Sequence, residues 1–128
     1  FKGKSDEQKI HDICKKYNIR NYTINDDLSI DVDGTVDLRN LKLTSLPLKF
    51  NSVGGYFYCS NNQLTSLEGA PKWSGAFDCS NNKLTSLEHV PKYIKNYFNC
   101  NSYYNSLLRW NMDSNRILKT NYKRGRNW

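Results

Sequence analysis

Twelve residues of this chain recur almost unchanged at an offset of twenty. Residues 57–68 read Phe-Tyr-Cys-Ser-Asn-Asn-Gln-Leu-Thr-Ser-Leu-Glu, and residues 77–88 read Phe-Asp-Cys-Ser-Asn-Asn-Lys-Leu-Thr-Ser-Leu-Glu, identical at ten of twelve positions. One period earlier, Val36-Asp37-Leu38 runs on to Leu43-Thr44-Ser45-Leu46-Pro47 at an offset of twenty-one. One period later, Phe98-Asn99-Cys100 opens a fourth copy that decays through Tyr103, Asn105 and Leu108. Self-similarity at this period predicts a solenoid. Each copy is one supersecondary unit that cannot bury its apolar face alone, so copies must stack.

The repeat also decides how the cysteines are read. Cys14, Cys59, Cys79 and Cys100 are spaced by 45, 20 and 21 residues, with no Cys-x-x-Cys pair. Three of them hold the same repeat position, so stacking puts them in one inward column, where a thiol behaves as a small hydrophobe. A zinc site would need converging thiolates and a fourth ligand. The expectation is reduced, buried thiols of a cytosolic setting, with no metal and no other cofactor.

A period of 20–21 residues fits the pattern L-x-x-L-x-L-x-x-N/C-x-L. In that register Val36, Phe57, Phe77 and Phe98 take the second Leu position, and Leu38, Cys59, Cys79 and Cys100 the third. Asn62 and Asn82 take the Asn position, and Leu43, Leu64 and Leu84 the last. Leu46, Leu67 and Leu87 point inward from the returning side, while the first Leu position falls on Gly54 and Ser74, a departure. Asn62 and Asn82 are expected to satisfy buried backbone groups where the chain bends. Their neighbours Asn61 and Asn81 read as exposed turn residues. Such roles explain how a chain with 17 Asn, more than its Leu, can still fold.

On these residues the chain resembles the short leucine-rich repeat proteins of tailed bacteriophages, in which stretches like Cys59–Lys72 recur in tandem. The resemblance covers residues 34–108. It implies an α+β repeat fold, a small leucine-rich repeat solenoid of about four repeats with a parallel sheet. It also implies a phage-encoded protein in the cytoplasm of the infected bacterial host that binds or inhibits a host or phage protein. A structural component of the virion is a further alternative for this chain.

Solenoid ends expose apolar surface and need caps. In residues 1–33, Ser5-Asp6-Glu7-Gln8 reads as the start of a helix. Ile10, Ile13, Cys14 and Tyr17 then form an apolar stripe, ended by Asn18 or Asn21. Tyr22–Ile24 and Leu28–Val32 alternate with period two around Asn25-Asp26-Asp27, which predicts a hairpin. Residues 109–128 read as a C-terminal helical and basic cap. The N-terminal Phe-Lys-Gly-Lys-Ser is no signal peptide, and the missing initiator Met is expected to reflect trimming. No run of about 18 apolar residues is present, so no transmembrane helix is expected.

Charge is unevenly spread within a formal net charge of +7. Residues 109–128 carry six Lys or Arg against one Asp, and residues 26–37 carry five Asp and no base. The basic stretch makes nucleic acid a candidate partner: Arg116, Lys119, Lys123, Arg124 and Arg126 would meet phosphates or an acidic protein, with Trp128 stacking. Enzyme signals are poor. His11 and Cys14 lie three apart on the expected helix, but Cys14 belongs to its apolar stripe. Gly3-Lys4-Ser5 lacks the preceding glycine of a phosphate loop, and Asp31 and Asp33 read as solvent-facing strand positions.

Strand side chains alternate, so the positions between the inward ones face away from the core. These are Thr35, Asp37 and Arg39; Tyr56, Tyr58 and Ser60; Ala76, Asp78 and Ser80; Tyr97, Asn99 and Asn101. Tyr buries much area with few rotatable bonds and is enriched in binding hot spots. Tyr56, Tyr58, Asp78, Tyr97 and Asn99 are therefore the candidate contacts to a protein partner. A non-enzymatic interaction module is the reading, with a nucleic-acid-binding accessory protein as its rival.

Overall fold

A computed structural model describes residues 3–100 as a β-solenoid of about three turns, with a mostly parallel sheet and one helix. Helix α1 spans Asp6–Lys16. The Ser5 hydroxyl accepts the Gln8 N–H at 3.1 Å, satisfying one of the donors a helix start leaves orphaned. Asp6 and Glu7 open the helix and Lys15 and Lys16 close it, each sign matched to its end of the macrodipole. Ile10 and Cys14 are buried, with Ile13 and Tyr17 packed beside them. Asn18 and Asn21, both in the left-handed region, turn the chain away.

β1 (Tyr22–Ile24) and β2 (Ile30–Val32) form the antiparallel hairpin, Tyr22 opposite Val32. The connecting turn is tied by Asp27, whose carboxylate accepts the Ser29 N–H at 3.0 Å and the Ser29 hydroxyl at 2.6 Å. β2 then joins the parallel sheet. It pairs with the first half of β4 (Phe50–Tyr58), and β3 (Val36–Asp37) pairs with the second half. β2 and β3 are thus two pieces of one broken strand. β5 (Trp73–Asp78) and β6 (Tyr93–Asn99) continue in parallel, giving the order β1-β2-β4-β5-β6 with β3 also on β4.

The register explains why the repeat length alternates between 20 and 21. Phe57 lies opposite Phe77, and Phe77 opposite Phe98; Val53 lies opposite Ser74, and Ser74 opposite Ile94. β5 therefore crosses the same span with one residue fewer than its neighbours, and the register shifts there. Val53, not Gly54, is the inward residue of the second coil, which corrects the expected first position. The shift occurs where backbones crowd. A Cβ on Gly75 would lie 2.6 Å from the Gly55 carbonyl oxygen, so only glycine admits the approach.

Inside, Phe57 stacks on Phe77 at 5.3 Å and Phe77 on Phe98 at 6.0 Å, with Phe50 edge-on to Phe57. Leu38, Cys59, Cys79 and Cys100 form the next buried column, closed by Leu64, Leu67, Leu84 and Leu87. Asn62 and Asn82 stitch neighbouring coils. Asn62 Oδ1 accepts the Leu41 and Leu43 N–H groups, while Nδ2 donates to the carbonyls of Leu38, Cys59 and Ser60.

Two expectations need correction. The cysteine column is inward, but Cys79 and Cys100 are joined as a disulfide, their Cα atoms 4.6 Å apart; only Cys14 and Cys59 stay free. In-register parallel neighbours stand at a Cα spacing that a disulfide tolerates. Asp31 is half-buried rather than solvent-facing, because Asn51 Nδ2 and the Ser52 hydroxyl both donate to it at 2.8 Å. The remainder of the fourth repeat (Asn101, Tyr103, Asn105, Leu108) and the 109–128 segment lie outside the described residues. No helix among the described residues is long and apolar enough to cross a membrane.

Candidate protein-binding face

The outer surface of the sheet is built in rows, because in-register strands place equivalent side chains side by side. Tyr56, Ala76 and Tyr97 make one row, and Asp37, Tyr58, Asp78 and Asn99 the next. Tyr56 and Tyr97 are 45% and 50% exposed, unusually open for such large side chains. Tyr58 is half-buried: the Tyr56 ring lies 5.5 Å away on one side and the Arg39 guanidinium 4.5 Å over its ring on the other. Tyr97 is two strands from Tyr56, about 10 Å by ladder spacing. The structure therefore brings Tyr56 and Tyr58 into contact and leaves Tyr97 across a gap.

Ala76 fills that gap and is 1% exposed, although it belongs to the outer face and not to the core cluster. Tyr56 and Tyr97 flank it in register. Ser60 and Ser80, also expected to be exposed, are buried because they serve the turn: their carbonyls accept from the Asn62 and Asn82 side chains, and the Ser80 hydroxyl donates to Asp78.

Asp37 and Asp78 make the same local turn. Asp37 Oδ1 accepts the Arg39 N–H at 3.2 Å, and Asp78 Oδ1 accepts the Ser80 N–H at 3.0 Å. Beyond that they differ. Arg39 grips Asp37 with two further bonds, Nε to Oδ1 at 2.9 Å and Nη2 to Oδ2 at 2.8 Å. Those hydrogen bonds hold the Asp37 carboxyl below the usual carboxylate range and raise the guanidinium. Ser80 is too short to span Asp78, so only Oδ1 is engaged and Oδ2 has no partner among the described residues.

Two aromatic residues escaped the sequence reading. Val53 faces the core, so Ser52, and Trp73 and Tyr93 in register with it, face outward. Trp73 stacks on Tyr93 at 5.8 Å. The signal was the recurring Pro-Lys-aromatic triplet, Pro71-Lys72-Trp73 and Pro91-Lys92-Tyr93. Charge also segregates. Asp31, Asp37 and Asp78 accompany the aromatic rows, whereas Lys49, Lys72 and Lys92 line a shallow depression of about 310 Å³ with His89, Glu68 and Val90.

His11 and Cys14 do converge, both on Tyr22: His11 Nδ1 bonds the phenol, and the Cys14 thiol lies near it. Burial pushes the Cys14 thiol up, the opposite of an activated nucleophile. The cluster ties α1 to the hairpin. Among the described residues no three His, Cys, Asp or Glu side chains group as metal ligands. The basic candidates Arg116, Lys119, Lys123, Arg124, Arg126 and Trp128 lie outside the described residues. Comparison of the chain with protein families, curated proteins and solved structures finds no match.

Proposed function

We propose that this chain is a non-enzymatic protein–protein interaction module of the short leucine-rich repeat type, docking a protein partner on the outer face of its sheet. The observation that carries the reading is the open aromatic track. Tyr56 and Tyr97 stand half-exposed on a stacked, hydrogen-bonded sheet, with Tyr58, Trp73 and Tyr93 beside them. Rigid aromatics lose little entropy when buried against a partner, and they dominate hot spots. The resemblance to phage repeats favours a host or phage protein as the partner, bound or inhibited in the infected cell.

Nucleic acid fits this face poorly, since Asp31 and Asp78 share it, and its arginine, Arg39, is already paired with Asp37. The test is capture from infected cells with wild-type protein and with Tyr56, Tyr58 and Tyr97 all changed to Ser, with and without nuclease. The reading expects a nuclease-resistant protein bound by the wild type and lost by the variant, whose far-ultraviolet spectrum stays native. A folded variant that captures the same protein normally shows that the face is the wrong one. Capture that disappears on nuclease treatment moves the function to the basic segment.

A further inference from the structure

Two aspartates of the outer face make the same local turn, and an arginine takes only one of them. At Asp37 the local turn is completed by Arg39, whose fork takes both carboxylate oxygens while its guanidinium lies over Tyr58. At Asp78, on the other side of Tyr58 in the same row, the turn is identical, but the residue two positions on is Ser80. Ser80 holds Oδ1 with its N–H and hydroxyl, which orients the carboxylate and leaves Oδ2 with no hydrogen bond among the described residues, although the Arg39 guanidinium over Tyr58 feels the Asp78 charge. Asp78 is half-buried, flanked in register by Tyr58 and Asn99. Two residues back on the same face lies Ala76, buried, with Tyr56 and Tyr97 in register on either side.

We propose that Asp78 receives an arginine side chain supplied by the protein partner, its methylenes lying along the row of Tyr56, Ala76 and Tyr97. The inference rests on the docking face proposed above and names the chemistry of what docks there. The distance supports it: positions two apart on a strand are about 6.6 Å apart, close to the reach of an arginine stem. The chemistry supports it too. A planar guanidinium stacks on aromatic rings and matches a carboxylate edge, whereas an ammonium is a point charge. Charge agrees, because on a chain of net charge +7 this face holds Asp31, Asp37 and Asp78 beside Arg39.

The test uses the full chain and a small probe, N-acetyl-arginine methylamide, followed by NMR. Saturable shifts are expected at Tyr58, Asp78 and Ser80, weaker with the acetyl-lysine analogue and absent with acetyl-norleucine. Asp78→Asn keeps an oxygen to accept the Ser80 N–H, so folding is retained, and probe affinity should fall about tenfold. Absence of shifts with arginine, or equal shifts with norleucine, overturns the site. So does a shift of the Arg109, Arg116, Arg124 or Arg126 resonances on making Asp78→Asn with no probe present, since the chain's own basic segment would then be the occupant. Capture experiments separate this inference from the broader one. If the Tyr variant loses the protein partner while Asp78→Asn binds it normally, the face stands and the arginine site falls; normal capture by both removes both.

Discussion

Asn82 reaches back one coil to the carbonyl oxygen of Cys59, to which its Nδ2 donates at 3.0 Å. Its Oδ1 accepts the Leu64 N–H at the same distance. One amide thereby satisfies backbone groups of the preceding coil and, through the carbonyls of Cys79 and Ser80, of its own. Asn62 does the same one coil earlier. A helix or sheet satisfies its backbone internally; the bends of this solenoid depend on a side chain for it.

Replacing Asn62 or Asn82 by Ala should therefore cost about 1–3 kcal/mol, the penalty of stranding buried polar groups. The neighbouring Asn61 and Asn81 read as exposed turn residues, yet both sit in the left-handed region, and Asn81 donates to Asn61 at 2.8 Å. Ala there should cost about 1–2 kcal/mol, the penalty an L-residue with Cβ meets in that conformation. Gly should restore most of it. Urea titration of the Ala and Gly variants decides the matter. Equal losses for Asn61→Ala and Asn61→Gly would refute the backbone explanation.

Gly75→Ala should destabilise by about 1–3 kcal/mol, because the new methyl would meet the carbonyl oxygens of Gly54 and Gly55 at 2.7 and 2.6 Å. Gly54→Ala is the control. Its Cβ would find nothing closer than 3.7 Å, and the change should stay within about 0.5 kcal/mol. Thermal unfolding of the two variants measures the difference, and similar midpoints would remove close coil approach as the reason for glycine.

The thiols can be counted. Denatured without reductant, the chain should expose the two free thiols of Cys14 and Cys59, and after reduction all four. In the native state neither free thiol should react. Both are buried, and desolvation pushes both thiol pKa values up. Four reactive thiols in the denatured, unreduced chain would show that Cys79 and Cys100 pack without bonding, as a reducing compartment requires.

Acid should weaken the fold in a defined window. The Ser29 hydroxyl and N–H, with help from Lys49, hold the Asp27 carboxyl at about 2. Asp31 is lowered through Asn51 and Ser52, and Asp37 through Arg39. A carboxyl depressed in the folded state stabilises fully above its unfolded value, near 3.9, and that contribution is lost as pH falls through the folded value. Stability is thus expected to decline between pH about 4 and about 2. Ser29→Ala should raise the Asp27 midpoint in a carbon-13 carboxyl titration. An unchanged midpoint would assign the depression elsewhere.

The repeat was legible because it is written in chemistry that recurs. Phe57 and Phe77, Cys59 and Cys79, and Asn62 and Asn82 each hold one place in a coil, so a spacing of twenty predicts their columns without coordinates. The helix start at Ser5 and the hairpin around Asp27 were equally readable, since caps and turns are made by residues close in the chain. The Tyr56, Tyr58 and Tyr97 positions followed from strand alternation alone.

What lies between coils was decided only by tertiary structure. Sequence alternation marks which face a side chain takes, but not which neighbour it meets across a ladder. Hence the register shift at Gly55 and Gly75, the union of Cys79 with Cys100, and the burial of Ala76 on the outer face all followed from the stacking of one coil on the next. The same holds for the two aspartates. Arg39 and Ser80, each two positions on, already distinguish Asp37 from Asp78 in the sequence, but only the stacking sets both carboxylates on either side of Tyr58. Local patterns along a chain encode direction and period, whereas contact between residues twenty apart depends on a register that the whole stack selects.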